Sequence, residues 1–173
     1  AEHGVTWHVM VADVDRGDVL VQQRFAVADN ETALTLNTKC FEAGIDTFEA
    51  LVAGLSNGTL KPQAQHTAPL RMKRRKDRPA AAAALDWQQP AAALNRLVRA
   101  LDFGAYANPV AAPKVLHAQG VAVVGGLELT GQPSTQPPGT VVAQDEHGVV
   151  VATADEDVRI TSLRSTCGGA APW

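Results

Sequence analysis

The chain has 173 residues, 46% of them hydrophobic and 19% charged, with a formal net charge of -3 and a pI near 5.9. That composition suffices for a real core in one ordinary domain or two small ones, and it is not that of a disordered chain. The near-neutral balance gives no global argument for nucleic acid or membrane, and no run approaches the roughly 20 apolar residues that span a bilayer.

The chain starts on Ala1 and is strand-like at once: Val5, Trp7 and Val9 alternate with Thr6, His8 and Met10. This abrupt start is what a fragment would show, and the N-terminal residues carry no signal-peptide pattern. Ala12 to Asp18 is polar with a glycine at Gly17 and reads as a loop, and Val19 to Val27 reads as a second strand. Asp29 or Asn30 then suits a helix cap. The following helix carries Ala33, Leu36, Cys40 and Phe41 on one face and stops at Gly44. A further helix runs through Ile45, Phe48, Leu51, Val52 and Leu55 to Asn57-Gly58. Two strands and two helices make residues 1–58 the closing portion of an α/β domain.

Between residues 59 and 87 periodicity is lost. Lys61-Pro62, the basic run Arg71 to Arg78, Pro79 and an alanine tract read as an interdomain linker. Charge marks the same division: residues 1–60 carry a net -6, 61–114 a net +7 and 115–173 a net -4. Pro90 suits the first turn of a third helix with Leu94, Leu97, Val98 and Leu101 on one face. Six short β runs follow: Val115–Leu116, Val121–Val124, Leu127–Thr130, Val141–Ala143, Val149–Thr153 and Val158–Leu163. Their spacing predicts a small barrel or sandwich over residues 88–163, with 164–173 as a frayed tail. Cys40 and Cys167 form no metal or redox spacing, and so few cysteines fit a reducing cytoplasm.

Two separated stretches resemble the folate-dependent formyltransferase family, which includes methionyl-tRNA formyltransferases, amino-sugar N-formyltransferases and the formylation domains of nonribosomal peptide synthetases. The first is Gly4-Val5-Thr6 with its strand to Met10, followed by Asp15-Arg16-Gly17-Asp18 and the apolar pair Val19-Leu20. The second is Gly58-Thr59-Leu60-Lys61-Pro62-Gln63, then Leu85-Asp86-Trp87, the helix through Leu94 to Leu101, and Pro138-Gly139-Thr140. Any one of these is weak; their joint order is specific. The resemblance implies an α/β end portion of a Rossmann-like catalytic domain, a linker over 59–87 and a small OB-like β-barrel.

It further implies transfer of a formyl group from 10-formyltetrahydrofolate to an amine. An Asn and a His of the family hydrogen-bond the developing oxyanion, and a carboxylate orients the His and assists proton transfer. That carboxylate falls on Asp15, and the loop Val11, Ala12, Asp13, Val14 and Asp15 would form the folate wall. The matching Asn and His lie upstream in the family and are not in these residues, so the chain by itself is expected to be inactive. Arg24-Phe25 and Asn37 to Gly44 resemble the synthetase-type domains, which points to a carrier-bound or small amine as acceptor, with aminoacyl-tRNA the other choice.

On residue type alone Asp15 is a turn residue and His8 a packed strand histidine. His3, His66, His117 and His147 have no ligand spacing, and no metal is expected. The cations Arg71, Lys73, Arg74, Arg75, Lys76 and Arg78 make a patch for an anionic partner, either tRNA phosphates or a carrier's phosphopantetheine, or else a solvated linker. A non-catalytic tRNA- or carrier-binding module is the competing reading of the barrel and this linker.

Overall fold

A computed structural model describes residues 1–65, 73–74, 76–118 and 120–165. The chain forms two compact units, Ala1–Lys73 and Arg74–Trp173.

In the first unit, β1 (Glu2–His8) and β2 (Val19–Ala26) pair antiparallel, from Glu2 opposite Ala26 to His8 opposite Val19. Helix α1 (Ala33–Ser56) packs on this hairpin. Its cap is Thr32, not the expected Asp29 or Asn30: the Thr32 hydroxyl accepts from the Thr35 N–H, and the Thr35 hydroxyl accepts from the Thr32 N–H. The two helices expected on either side of Gly44 are a single helix of 24 residues. A glycine ends a helix by adopting a left-handed φ. Gly44 does not; the residue that does is Gly58, at φ +62 just past the Asn57 cap.

The face of α1 turned to the hairpin carries the buried Ala43, Thr47, Leu51 and Gly54. One polar joint registers helix on strand: the Trp7 indole N–H donates to Thr47 Oγ1 at 2.9 Å, and the Thr47 hydroxyl donates on to the Ala43 carbonyl. Beyond the helix the chain returns to β2, where Gln63 and Val19 exchange backbone hydrogen bonds of 2.8 and 2.9 Å.

The second unit includes a turn at Ala80–Ala83, where Ala81, Ala82 and Ala83 take left-handed φ, and α2 (Ala91–Ala100). Five strands follow: β3 (Lys114–His117), β4 (Gly120–Pro133), β5 (Val141–Asp145), β6 (Gly148–Val151) and β7 (Glu156–Ser165). They form one antiparallel sheet in the order β3-β4-β7-β6-β5. Two of the expected runs, Val121–Val124 and Leu127–Thr130, are halves of β4. The strand bends rather than ends at Gly125-Gly126, with register shifts on either side. Side chains at those glycines would run into Ser162 and Thr161 of β7, at 2.8 and 2.4 Å from their hydroxyls. A small OB-like β-barrel was expected here; among the described residues no ladder joins β3 to β5, so no closed barrel is seen.

Leu94 and Val98 of α2 pack into a core with Val115, Val124, Leu127, Val149, Val158 and Ile160. Helix α2 has no side-chain cap of its own, because Pro90 stands at that position. The cap comes from the loop between β6 and β7: Asp155 Oδ1 accepts from the Ala91 N–H at 2.8 Å. This bond, with those from the Glu156 N–H and Thr153, holds the Asp155 carboxyl below the usual carboxylate range.

Two outcomes follow from this packing. Leu94, 2% exposed, leaves a core cavity on truncation, so Leu94→Ala should cost about 2–5 kcal/mol in urea unfolding of the second unit. A depressed folded-state pKa contributes stability above the ordinary value of 3.8 that is lost as pH falls through the folded value. Acidification from neutral pH through that window should therefore lower the melting temperature of the wild type more than that of Asp155→Asn, as read by circular dichroism.

Candidate functional site

The loop of residues 9–18 joins β1 to β2 and carries the predicted carboxylate. Its shape follows from a glycine. Gly17 is buried, and a Cβ there would lie 1.7 Å from the Val9 carbonyl oxygen, so only glycine fits. That close approach brings the two ends of the loop together, with the Val9 N–H donating to the Asp18 carbonyl at 2.9 Å. From the segment after α1, the Gln65 side-chain amide donates to the Gly17 carbonyl.

Within this frame Asp15 adopts a left-handed φ of 57°, which aspartate tolerates better than most residues. Its carboxylate is 75% exposed, and Oδ1 lies 3.7 Å from Nε2 of His8, the last residue of β1. The His8 ring is itself oriented. Nδ1 sits 3.0 Å from the Val9 carbonyl, which can only accept, so the Nδ1 proton is fixed there and Nε2 is turned to Asp15. The imidazole and the carboxylate thus stand side by side at a solvent-accessible edge. On residue type His8 reads as a packed histidine; the structure brings it to Asp15 across a seven-residue separation that no local spacing rule signals.

The rest of the predicted wall is exposed: Val11, Ala12, Asp13 and Val14 all face outward, and Met10 is 91% exposed. The loop's exposed apolar side chains are Val9, Met10, Val11 and Val14, and its carboxylates Asp13, Asp15 and Asp18 are exposed with them. Of the basic patch, Lys73, Arg74, Lys76 and Arg78 are exposed, whereas Arg71 and Arg75 lie outside the described residues, as do His66 and residues 166–173 of the expected 164–173 tail, whose first two residues belong to β7. Asp77 braces this stretch by accepting from the Arg74 N–H at 2.8 Å. Among the described residues no group of three or more His, Cys, Asp or Glu could hold a metal ion. No helix among them is long and apolar enough to cross a membrane.

The second unit has its own concavities. One, of about 380 Å³, is lined by Leu101, Phe103, Tyr106, Asn108 and Arg164, with Asn108 bonded to the carbonyls of Leu101 and Ala111. Another, of about 350 Å³, is lined by Trp87, Val115, Val141, Ile160 and Leu163.

Residues 79–172 match the family described as Formyl transferase, C-terminal domain. The whole chain is similar to methionyl-tRNA formyltransferases. It is 36% identical over 178 residues to that of Paraburkholderia phymatum, covering 99% of this chain and 50% of the relative. It is 31% identical over 173 residues to that of Pseudomonas putida, covering 98% and 52%. The chain thus spans about half the length of the curated relatives it matches. Among solved structures, it shares its fold with WlaRD, a sugar 3N-formyl transferase determined with dTDP and 5-N-formyl-THF. The TM-score is 0.70 at 18% identity, over 92% of this chain and 54% of the other. HypX from Aquifex aeolicus in complex with tetrahydrofolic acid matches with a TM-score of 0.65 at 20% identity, over 95% and 28%.

Replacing Gly17 by alanine should displace the loop, because its neighbour is backbone and cannot swing aside. The expected cost is about 1–3 kcal/mol of stability. Amide resonances should move for residues 8–18 while those of the second unit stay put, a pattern that heteronuclear NMR would read directly.

Proposed function

The chain belongs to the formyltransferase family through its C-terminal domain, and we propose that it supplies the catalytic carboxylate and part of the folate wall of an enzyme that transfers a formyl group from 10-formyltetrahydrofolate to an amine. The observation that carries this reading is the loop closed by Gly17, which presents an exposed Asp15 beside an oriented histidine.

The chemistry assigns the parts. The amine attacks the formyl carbon, negative charge gathers on the formyl oxygen, and the bond to folate N10 breaks to release tetrahydrofolate and a formamide. A proton leaves the attacking nitrogen and reaches N10. Asp15 assists that proton transfer, as a carboxylate at the reacting edge does. His8 acts as a positioning residue: its fixed Nδ1 proton keeps Nε2 toward Asp15. The exposed apolar side chains Val11 and Val14, with the backbone of Ala12 and Asp13, suit the flat pterin of the donor. The Asn and His that stabilise the oxyanion belong to the part of the family's length that this chain does not span, so the 173 residues by themselves are read as inactive. Relatives named as methionyl-tRNA formyltransferases favour aminoacyl-tRNA as the acceptor over a carrier-bound amine. The exposed Lys73, Arg74 and Lys76 suit contact with its phosphates.

The test joins the first half of the Paraburkholderia phymatum relative to this chain and supplies 10-formyltetrahydrofolate with methionyl-tRNA. The fusion should form formylmethionyl-tRNA and the chain alone should not. Asp15→Asn should lower the fusion's kcat about a hundred- to ten-thousand-fold. Full activity in Asp15→Asn, or turnover by the chain alone, overturns the reading. Removing the three lysine and arginine charges should weaken tRNA binding and flatten its dependence on salt.

A further inference from the structure

The second unit holds a cavity of about 380 Å³ that the proposed formyl transfer does not use, lined by the loop between α2 and β3 and by β4 and β7. Its lining is of two kinds. Leu101, Phe103, Tyr106 and Val124 supply apolar and aromatic surface, and Arg164 of β7 supplies a cation. Tyr106 is 74% exposed, so a group entering from solvent meets an aromatic side chain first. Arg164 is exposed too and, among the described residues, joins no ion pair and no side-chain hydrogen bond. Arg159 of the same strand, by contrast, is bonded to Asp145 at 2.7 Å.

The place of Arg164 follows from the bend of β4. The ladder sets Val123 opposite Arg164, Val124 opposite Leu163 and Gly126 opposite Ser162, so Gly125 is the extra residue of a bulge and has no partner in that ladder. A Cβ at Gly125 would stand 3.6 Å from Arg164 Nε, which places the guanidinium beside bare backbone. Bulges gather at binding sites because they re-aim a side chain and free a backbone position.

The facing wall is tied in place before anything enters. Asn108 spends its whole amide on the loop. Its Nδ2 donates to the carbonyls of Leu101 and Ala111 at 2.7 and 2.6 Å, and its Oδ1 accepts from the Val110 and Ala111 N–H groups. The Tyr106 N–H donates to the Phe103 carbonyl, and the Val124 N–H donates to the Pro113 carbonyl. Asp102, the one acid among the described lining residues, accepts from the Gly104 N–H at 2.8 Å and belongs to the same turn. A wall held this way loses little freedom when a ligand arrives.

We propose that this cavity binds a small anion built on a flat ring, its acid group meeting Arg164 and its ring lying against Tyr106 and Phe103. A guanidinium offers parallel N–H groups to a carboxylate or phosphate, and an exposed aromatic side chain offers its face to another ring. That chemistry is shared by aromatic carboxylates and nucleoside monophosphates. A polynucleotide fits less well, because phosphate chains need several cations and residues 115–173 hold only Arg159 and Arg164 against six acids. The site lies within the second unit and rests neither on Asp15 nor on formyl transfer.

The test titrates the full chain with AMP, benzoate, adenosine and inorganic phosphate, read by heteronuclear NMR. AMP or benzoate should bind saturably, with a Kd of roughly 10 μM to 1 mM, and shift the amides of residues 101–108, 123–126 and 164. Adenosine and phosphate each carry half of the recognised chemistry and should bind at least about tenfold more weakly. The tighter of AMP and benzoate identifies the acid group as phosphate or carboxylate. Arg164→Gln should weaken the ring-bearing anion by about ten- to a hundredfold and leave adenosine unchanged. Tyr106→Ala should weaken AMP and adenosine alike by about tenfold. Both positions are exposed, so each variant should melt within a few degrees of wild type, which separates loss of the site from loss of the fold. The proposal is overturned if neither AMP nor benzoate saturates these amides, or if phosphate alone binds as tightly as the ring-bearing anions. It is equally overturned if both variants bind as wild type does, or if single-stranded oligoadenylate displaces AMP at a tenth of its concentration, which would make the site one for polynucleotide.

Discussion

The contact between Gly17 and the Val9 carbonyl governs the first unit's site. A hairpin loop of ten residues would ordinarily sample many shapes. Here its ends are drawn so close that a single methyl group could not fit between them. The Val9–Asp18 hydrogen bond, the left-handed turn at Asp15 and the approach of Asp15 to His8 all lie inside that closure. The constraint also reaches along the chain. Gln63 pairs with Val19 and Gln65 holds the Gly17 carbonyl, so the segment emerging from α1 braces the loop that precedes β2. A residue remote in sequence thereby helps to shape the loop that carries Asp15.

The second unit solves a different problem, that of seating a ten-residue helix on a bent sheet. Apolar packing supplies adhesion but little direction. Direction comes from polar joints at the edges of the apolar area: Asp155 on the Ala91 N–H, and the Asn95 amide on the Leu127 carbonyl at 2.7 Å. Around Asp155 the buried Thr153 donates to the Glu156 carbonyl, and the Ser134 hydroxyl donates to Asp157. These bonds leave no buried side-chain polar atom unsatisfied among the described residues.

Much of this was readable in the residues, and the exceptions share a cause. Alternation found β1 and β2, helical spacing found α2, and the turn residues separated most of the later strands. What failed was the punctuation by glycine. Gly44 and Gly125-Gly126 look like stops, yet each serves a close approach or an open space, and that purpose exists only once a neighbour in space is known. The cap of α2 was illegible for a similar reason, since Asp155 stands 64 residues away from the N–H it serves. The partnership of His8 with Asp15 needed the loop's closure to become visible. The apolar stripe of α1 was read correctly as apolar, but spacing alone does not say which of two adjacent apolar faces lies against the hairpin.

The open sheet of the second unit carries one more consequence. A sheet that does not close has edges, and an edge strand offers its backbone groups to any extended segment that comes alongside. At β3 the chain covers part of that row itself, with Ala84 bridged to Lys114 and the Leu85 N–H donating to the Lys114 carbonyl. At β5 no strand lies outside it among the described residues, and Val141 and Val142 are 59% and 44% exposed. Its defence is economy of length and charge. It runs for only five residues, follows Pro137-Pro138, and ends on Asp145, which is ion-paired to Arg159. Resistance to fibril-like stacking of this unit therefore resides in a few residues at a margin, apart from those that build its core.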